Sequence, residues 1–156
     1  MTEYPNIDES DRRILSALQD DGRISNAALA KLVGLSPAAC FERVRRLRLQ
    51  GLIRGFAALL DPHKLERGLL VFVEIVLDRT TPDVFEQFAG AVRDMPEVLE
   101  CHMVAGGFDY LIKVRVRDMD AYRQFLGTSL TSLPGVRETH TYAVMEEVKH
   151  SVRLPL

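Results

Sequence analysis

Only two cysteines, Cys40 and Cys101, occur in the 156 residues. They are too few for a disulfide framework and point to a reducing, cytoplasmic setting. No basic stretch followed by an apolar run opens the chain, so no secretory signal is expected. The longest apolar run falls far short of the ~20 residues that span a bilayer, so no membrane partner is expected either. Nucleophile motifs, Walker loops and dinucleotide fingerprints are missing; no catalytic residue and no cofactor is assigned, and the chain is not read as an enzyme. Metal-ligand spacing is also missing. Cys101 and His102 are adjacent and on a strand would point to opposite faces, Cys40 falls in a helix core, and His63 and His150 have no partner at useful spacing.

What is present is 47% hydrophobic and 27% charged, with mean hydropathy near zero. This is the composition of a globular chain, not of a disordered, collagenous or membrane-spanning one. The length suits one domain or two small ones, and small domains bury so little surface that they often rely on oligomerisation. Net charge is −2, but it is unevenly placed. Residues 1–60 carry nine Lys/Arg against seven Asp/Glu, and residues 61–156 carry eleven against fifteen. Between Ser36 and Arg54, five arginines (43, 45, 46, 48 and 54) face only Glu42. One basic segment in a near-neutral protein suggests that a single element meets a polyanion.

Asp8 is a candidate N-cap for a first helix carrying Ile14, Leu15 and Leu18 at helical spacing, ended by Asp20-Asp21-Gly22. Ser25 caps a second helix with a stripe of Leu29, Leu32 and Val33, small Ala30 permits close helix approach, and Gly34 stops it. Ser36-Pro37 reads as N-cap and N1 of a third helix running to Gln50 and ending at Gly51. Two short helices joined by a three-residue, glycine-containing turn form a helix-turn-helix. At about 100° per residue, Cys40, Val44 and Leu47 form the buried stripe of the third helix, while Ala38, Glu42, Arg45 and Arg46 point away. Phe41 and Leu49, off the stripe, are expected to pack against neighbouring elements.

This is the layout of a recognition helix. Ala38 and Ala39 beside the Ser36 cap let the backbone approach base edges, and guanidinium groups reach guanine edges or phosphates. Candidate DNA contacts are Ser36, Ala38, Ala39, Glu42, Arg43, Arg45 and Arg46, with double-stranded DNA as the partner. An isolated run of arginines more often marks a solvated face, but here caps, turn length and the alanine-lined helix start agree with one another. Leu52–Leu60 reads as a short strand, a wing or a connector, stopped by Asp61-Pro62.

The rest reads as strand Leu69–Leu77, helix Pro82–Arg93, strands Val98–Ala105 and Tyr110–Val116 around Gly106-Gly107-Phe108-Asp109, helix Asp118–Leu130 and strand Val136–Val148. The order is the ferredoxin-like βαββαβ pattern. The expected fold is α+β: a winged helix-turn-helix domain over residues 1–65, then a ferredoxin-like domain with an antiparallel sheet over residues 66–156. Helices cover only one face of such a sheet, yet the first strand has almost no polar side. A second copy is the economical cover, which predicts a homodimer through the sheet.

Multi-residue stretches carry a resemblance: DGRISN at Asp21–Asn26, VGLSP at Val33–Pro37, ERVRRL at Glu42–Leu47, LLVFVEI at Leu69–Ile75, PDVFEQF at Pro82–Phe88, FDYL at Phe108–Leu111, LPGV at Leu133–Val136 and VMEEVK at Val144–Lys149. In this order they resemble the Lrp/AsnC (feast/famine) family of transcription regulators over almost the whole chain. The resemblance implies a sequence-specific activator or repressor that responds to an amino acid, leucine or a related one. It implies assembly to octamers or larger, and a bacterial, cytoplasmic, nucleoid-associated protein.

The resemblance also places the effector at the loop Gly106, Gly107, Phe108 and Asp109, close to subunit interfaces, and draws in His140. Glycine N–H groups suit a carboxylate, Asp109 an ammonium, and the aromatic a side chain; on the residues alone Asp109 as readily shapes a turn. Two positions depart from the pattern: Gly107 stands where an acid is expected and His140 where an arginine is. These departures put effector identity in question and favour, as the alternative, an architectural DNA-wrapping protein with little effector response. An amino-acid-binding module of a metabolic enzyme is a third reading, opposed by the helix-turn-helix.

Overall fold

The first helix, α1 (Glu9–Asp20), starts where its cap chemistry places it, in a computed structural model that describes residues 6–156. The Asp8 carboxylate accepts from the Asp11 N–H at 2.8 Å and the Asp11 carboxylate accepts from the Asp8 N–H at 3.2 Å, a reciprocal capping box. Ser25 caps α2 (Asn26–Val33) and Ser36 caps α3 (Pro37–Leu49), each hydroxyl accepting from an N–H three residues on at 3.2 Å. Gly34 between them has φ +73°, which a side chain would strain, and lets the Leu35 N–H close back on Ala30 O. Ile14, Leu29, Ala30, Cys40 and Leu47 are the buried centre of this three-helix unit.

The chain divides into two compact units: residues up to Ala58 with His150–Leu156, and Leu59–Lys149. The boundary expected after residue 65 thus falls seven residues earlier, and the last seven residues join the first unit. They lie along α1. The Leu154 N–H donates to Gln19 Oε1 at 2.6 Å and Gln19 Nε2 donates to Leu154 O at 3.1 Å, while Arg153 pairs with Asp20 and donates to Ser16. A glutamine side chain pairing with a backbone amide has no local sequence signature.

The strand expected over Leu52–Leu60 does not form. Gly51, at φ +75°, ends α3, and the N–H groups of Leu52 and Ile53 turn back to Leu47 O, so the start of that segment completes the helix C-terminus. No other strand among the described residues of this unit offers it a ladder.

The second unit has β1 (Leu69–Leu77), α4 (Pro82–Arg93), β2 (Val98–Met103), β3 (Tyr110–Val116), α5 (Met119–Phe125) continued by a π-helical turn (Leu126–Leu130), and β4 (Val136–Ala143). The sheet order is β2-β3-β1-β4 with every pairing antiparallel, the ferredoxin-like arrangement. Strands β2 and β4 stop earlier than expected. Val104 N–H closes on Asp109 O, and β1 begins at Leu69, so beyond the bond from Val144 N–H to Leu70 O the chain after β4 has no further β1 residue to pair with as a strand among the described residues. Val71, Val73, Ile75, Ile112 and Val114 face α4 and α5 and pack against Phe88, Tyr122, Phe125 and Leu130. Full burial of each large apolar side chain contributes about 1.5–3 kcal/mol.

The other sheet face is less apolar than the first strand suggests. Leu70, Phe72, Val76 and Leu111 share it with Glu74, Lys113, Arg115, His140 and Tyr142, because neighbouring strands bring polar residues into register with β1. Glu100 on β2 takes the Lys113 ammonium at 2.9 Å.

Several carboxylates are held below their ordinary range by the fold: Glu100 by Lys113 and then His102, Asp118 by the Ala121 N–H and then Arg117, and Asp8 by Arg43 and then the Asp11 N–H. A depressed folded pKa means that the unfolded chain takes up more protons as pH falls. The stability these groups contribute is therefore complete above the ordinary carboxylate range and is lost as pH falls through their folded values. Thermal melts of the full chain should show a Tm that is flat from about pH 7 to about pH 5 and drops below about pH 4, with a smaller drop in Glu100→Gln. A Tm that rises on acidification would contradict this account.

Candidate functional site

Helix α3 carries its arginines on two different sides. Arg43 Nη1 reaches Asp8 at 2.6 Å and Asp11 at 3.0 Å, and Arg46 Nη2 reaches the other oxygen of Asp11 at 2.5 Å. Asp11 is 1% exposed and is the buried charged residue of this unit. A carboxylate taken out of water is costly unless both oxygens are satisfied, and here they accept from two guanidinium groups and the Asp8 N–H. Arg46, expected to point outward, is instead turned toward α1 with Arg43, because this buried carboxylate draws both side chains in. The Arg43 guanidinium is correspondingly held more firmly protonated by Asp8 and Asp11.

The outward face is what remains. Ala38, Ala39, Phe41, Glu42, Arg45, Arg48 and Leu49 are all exposed. Arg45 makes only a surface pair with Glu42, at 3.3 Å. Ser36 spends its hydroxyl on the cap, and Asn26 Nδ2 donates to Pro37 O at 2.8 Å, locking the start of α3 to α2. That asparagine was missed from sequence, where a polar first residue of a helix looks merely solvated. Phe41 and Leu49, expected to pack against neighbouring elements, are instead 56% and 76% exposed and belong to no apolar cluster of the unit, whose inward stripe on α3 is Cys40, Val44 and Leu47.

In the second unit, Gly106, Gly107, Phe108 and Asp109 are brought together in the β2–β3 loop, with both glycines exposed and Phe108 and Asp109 half-buried. Neither glycine has positive φ, and a Cβ at either would meet open space. Asp109 is more than a loop acid. Its N–H donates to Ile75 O at 2.9 Å, and its Oδ2 accepts the Leu77 N–H at 2.8 Å, where the β1–β4 register slips between Val76 and Leu77. The bulge would otherwise leave that N–H unpaired. His140 is not brought to the loop. It stands on β4 opposite Glu74 and pairs with Glu138 at 3.2 Å, with β1 between it and β3. Among the described residues, no His/Cys/Asp/Glu group is arranged to hold a metal, and no helix is long and apolar enough to cross a membrane.

Residues 7–54 match the family profile described as winged helix-turn-helix DNA-binding, and residues 70–154 match the Lrp/AsnC ligand binding domain. The chain belongs to the Lrp/AsnC family. It is 62% identical over 148 residues to the leucine-responsive regulatory proteins of Salmonella typhimurium and Escherichia coli K12, an alignment that spans 95% of this chain and 90% of each relative. A transcriptional regulator from Neisseria meningitidis, solved with L-methionine, matches with TM-score 0.91 at 38% identity, covering 96% of this chain and 97% of that one. E. coli AsnC matches with TM-score 0.89 at 27% identity, covering 97% of this chain and all of that one, 100%. As an Lrp/AsnC regulator, the protein is a DNA-binding transcription regulator with an amino-acid-binding domain.

The two sets of arginines in this Lrp/AsnC protein should separate in a stability measurement. Asp11→Asn leaves two guanidinium groups short of a counter-charge and is expected to lower unfolding free energy by on the order of 2 kcal/mol. Arg45→Ala, at an exposed pair, is expected to stay within about 0.5 kcal/mol of wild type. Denaturant unfolding of the full chain checks both; equal losses would remove the distinction.

Proposed function

We propose that the protein regulates transcription by laying the outward face of α3 in the major groove, with Ser36, Ala38, Ala39, Glu42 and Arg45 toward the DNA and Arg43 and Arg46 positioning the helix. Arg45 carries this reading, because its guanidinium is exposed at the centre of the face while its neighbours are committed to Asp11. Arg45→Ala is expected to weaken a selected duplex by roughly 1–3 kcal/mol and to relax preference at one position. The check is competition binding at fixed salt, with wild-type stability retained. Equal weakening of every sequence would make Arg45 a phosphate contact instead.

The regulatory half is proposed to take a free amino acid at Gly106–Asp109, its carboxylate on loop N–H groups and its ammonium on Asp109 Oδ1, which has no hydrogen bond among the described residues. The leucine-responsive relatives and the methionine-bound neighbour favour an apolar amino acid of that size, leucine or a related one. Gly107 lacks the acid expected there, so leucine is expected to bind more weakly here than in those relatives. His140 joins such a site only through assembly, since β1 separates it from the loop. We further propose a homodimer through the outer sheet face, assembling to an octamer or larger in the cytoplasm on the nucleoid. Support comes from Phe72, Val76 and Leu111, which stay partly exposed on the face away from α4 and α5.

Calorimetry with all twenty amino acids tests the effector site. Asp109→Asn keeps an acceptor for the Leu77 N–H but loses the charge, so binding should disappear with little loss of stability. Gly107→Asp fits the open loop and should change ligand preference. Undiminished binding in Asp109→Asn would move the site. No binding by any amino acid would support the architectural alternative, since only differential affinity shifts an equilibrium.

A further inference from the structure

Charge does not account for everything on the outward face of α3. Phe41, Arg45 and Leu49 are spaced four apart, so they form one ridge on the helix surface. Arg45 is flanked by two large apolar side chains, 56% and 76% exposed, that belong to no apolar cluster of the unit. The two differ in position. Leu49 is the last residue of α3, whereas Phe41 is the fifth, near the end from which a recognition helix reaches base edges. Ala38 lies three residues before Phe41 on the same face, and Ala39 beside it; neither has a side chain long enough to hold the backbone off the groove. Phe41 is therefore the longest apolar group at the part of the helix that goes deepest. A single exposed apolar side chain needs no explanation by itself, but this one sits where the surroundings are base edges. The major groove offers one apolar feature, the C5-methyl group of thymine.

We propose that Phe41 reads thymine: its ring packs on a thymine methyl group in the major groove beside the position contacted by Arg45. It is then a specificity-determining residue, distinct from the hydrogen-bonding and phosphate contacts. The inference rests on α3 being the helix that enters the groove.

Replacing single thymines by deoxyuridine removes the methyl group and leaves every hydrogen-bonding edge intact. In duplexes selected by the full-length wild-type protein at fixed salt, such a replacement should weaken wild-type binding about fourfold per contacted methyl group. Phe41→Ala should bind the thymine duplex more weakly and be indifferent to deoxyuridine at that position, while keeping its thermal stability. Phe41→Leu should recover part of the discrimination. Phe41→Ala with the wild-type thymine preference everywhere, or a wild type indifferent to deoxyuridine throughout, would overturn the proposal. So would a change in sedimentation with base preference intact, which would assign Phe41 to a contact between copies. Failure of the wild type to select any duplex would instead remove the underlying assignment of α3.

Discussion

One buried carboxylate orders the DNA-binding unit. Asp11, the third residue of α1, accepts from Arg43, from Arg46 and from the Asp8 N–H, and so joins the start of one helix to the middle of another. Desolvating a charge is affordable only when its lone pairs are taken, and no buried side-chain polar atom among the described residues lacks a partner. The pairing sets the rotation of α3 about its own axis. Cys40 and Leu47 go into the core, Arg43 and Arg46 go to the side, and Ala38, Phe41 and Arg45 go outward. A helix that looks uniformly basic is thereby divided into side chains that hold it and side chains that it presents.

The regulatory unit reuses the device at the opposite kind of place, a loop. Asp109 satisfies the N–H of Leu77 at the slip between β1 and β4, so the acid proposed to take an ammonium is also part of the sheet. A ligand on its second oxygen would draw on the group that keeps the end of β1 in register. Coupling of this kind needs no long path, because loop, bulge and the residue before β4 are joined by hydrogen bonds at consecutive residues: the Leu77 N–H to Asp109, and the Asp78 N–H to Gly135 O.

Helix boundaries were legible because caps act within four residues. Asp8, Ser25, Ser36 and Asp118 each accept from an N–H three positions on, and Gly34 and Gly51 stop helices by their own backbone conformation. Strand order followed from the sequence of periodicities and the rules for connecting them. The apolar character of β1 was legible too, but the polarity of its outer face was not. That is decided by register, which sets Glu74 opposite His140 and Phe72 between Lys113 and Tyr142.

By itself the sequence determined the helix-turn-helix, the ferredoxin-like order, the family and the loop that carries Asp109, since each is written in short-range spacing or contiguous identity. Only the tertiary structure decided which arginines face outward, that Phe41 is uncovered, that Asp109 holds a strand and that the last residues lie along α1. Those outcomes rest on partners 32 to 137 residues apart in the chain. Such pairings depend on how helices and strands are packed, and packing leaves no periodic trace in the residues that it brings together.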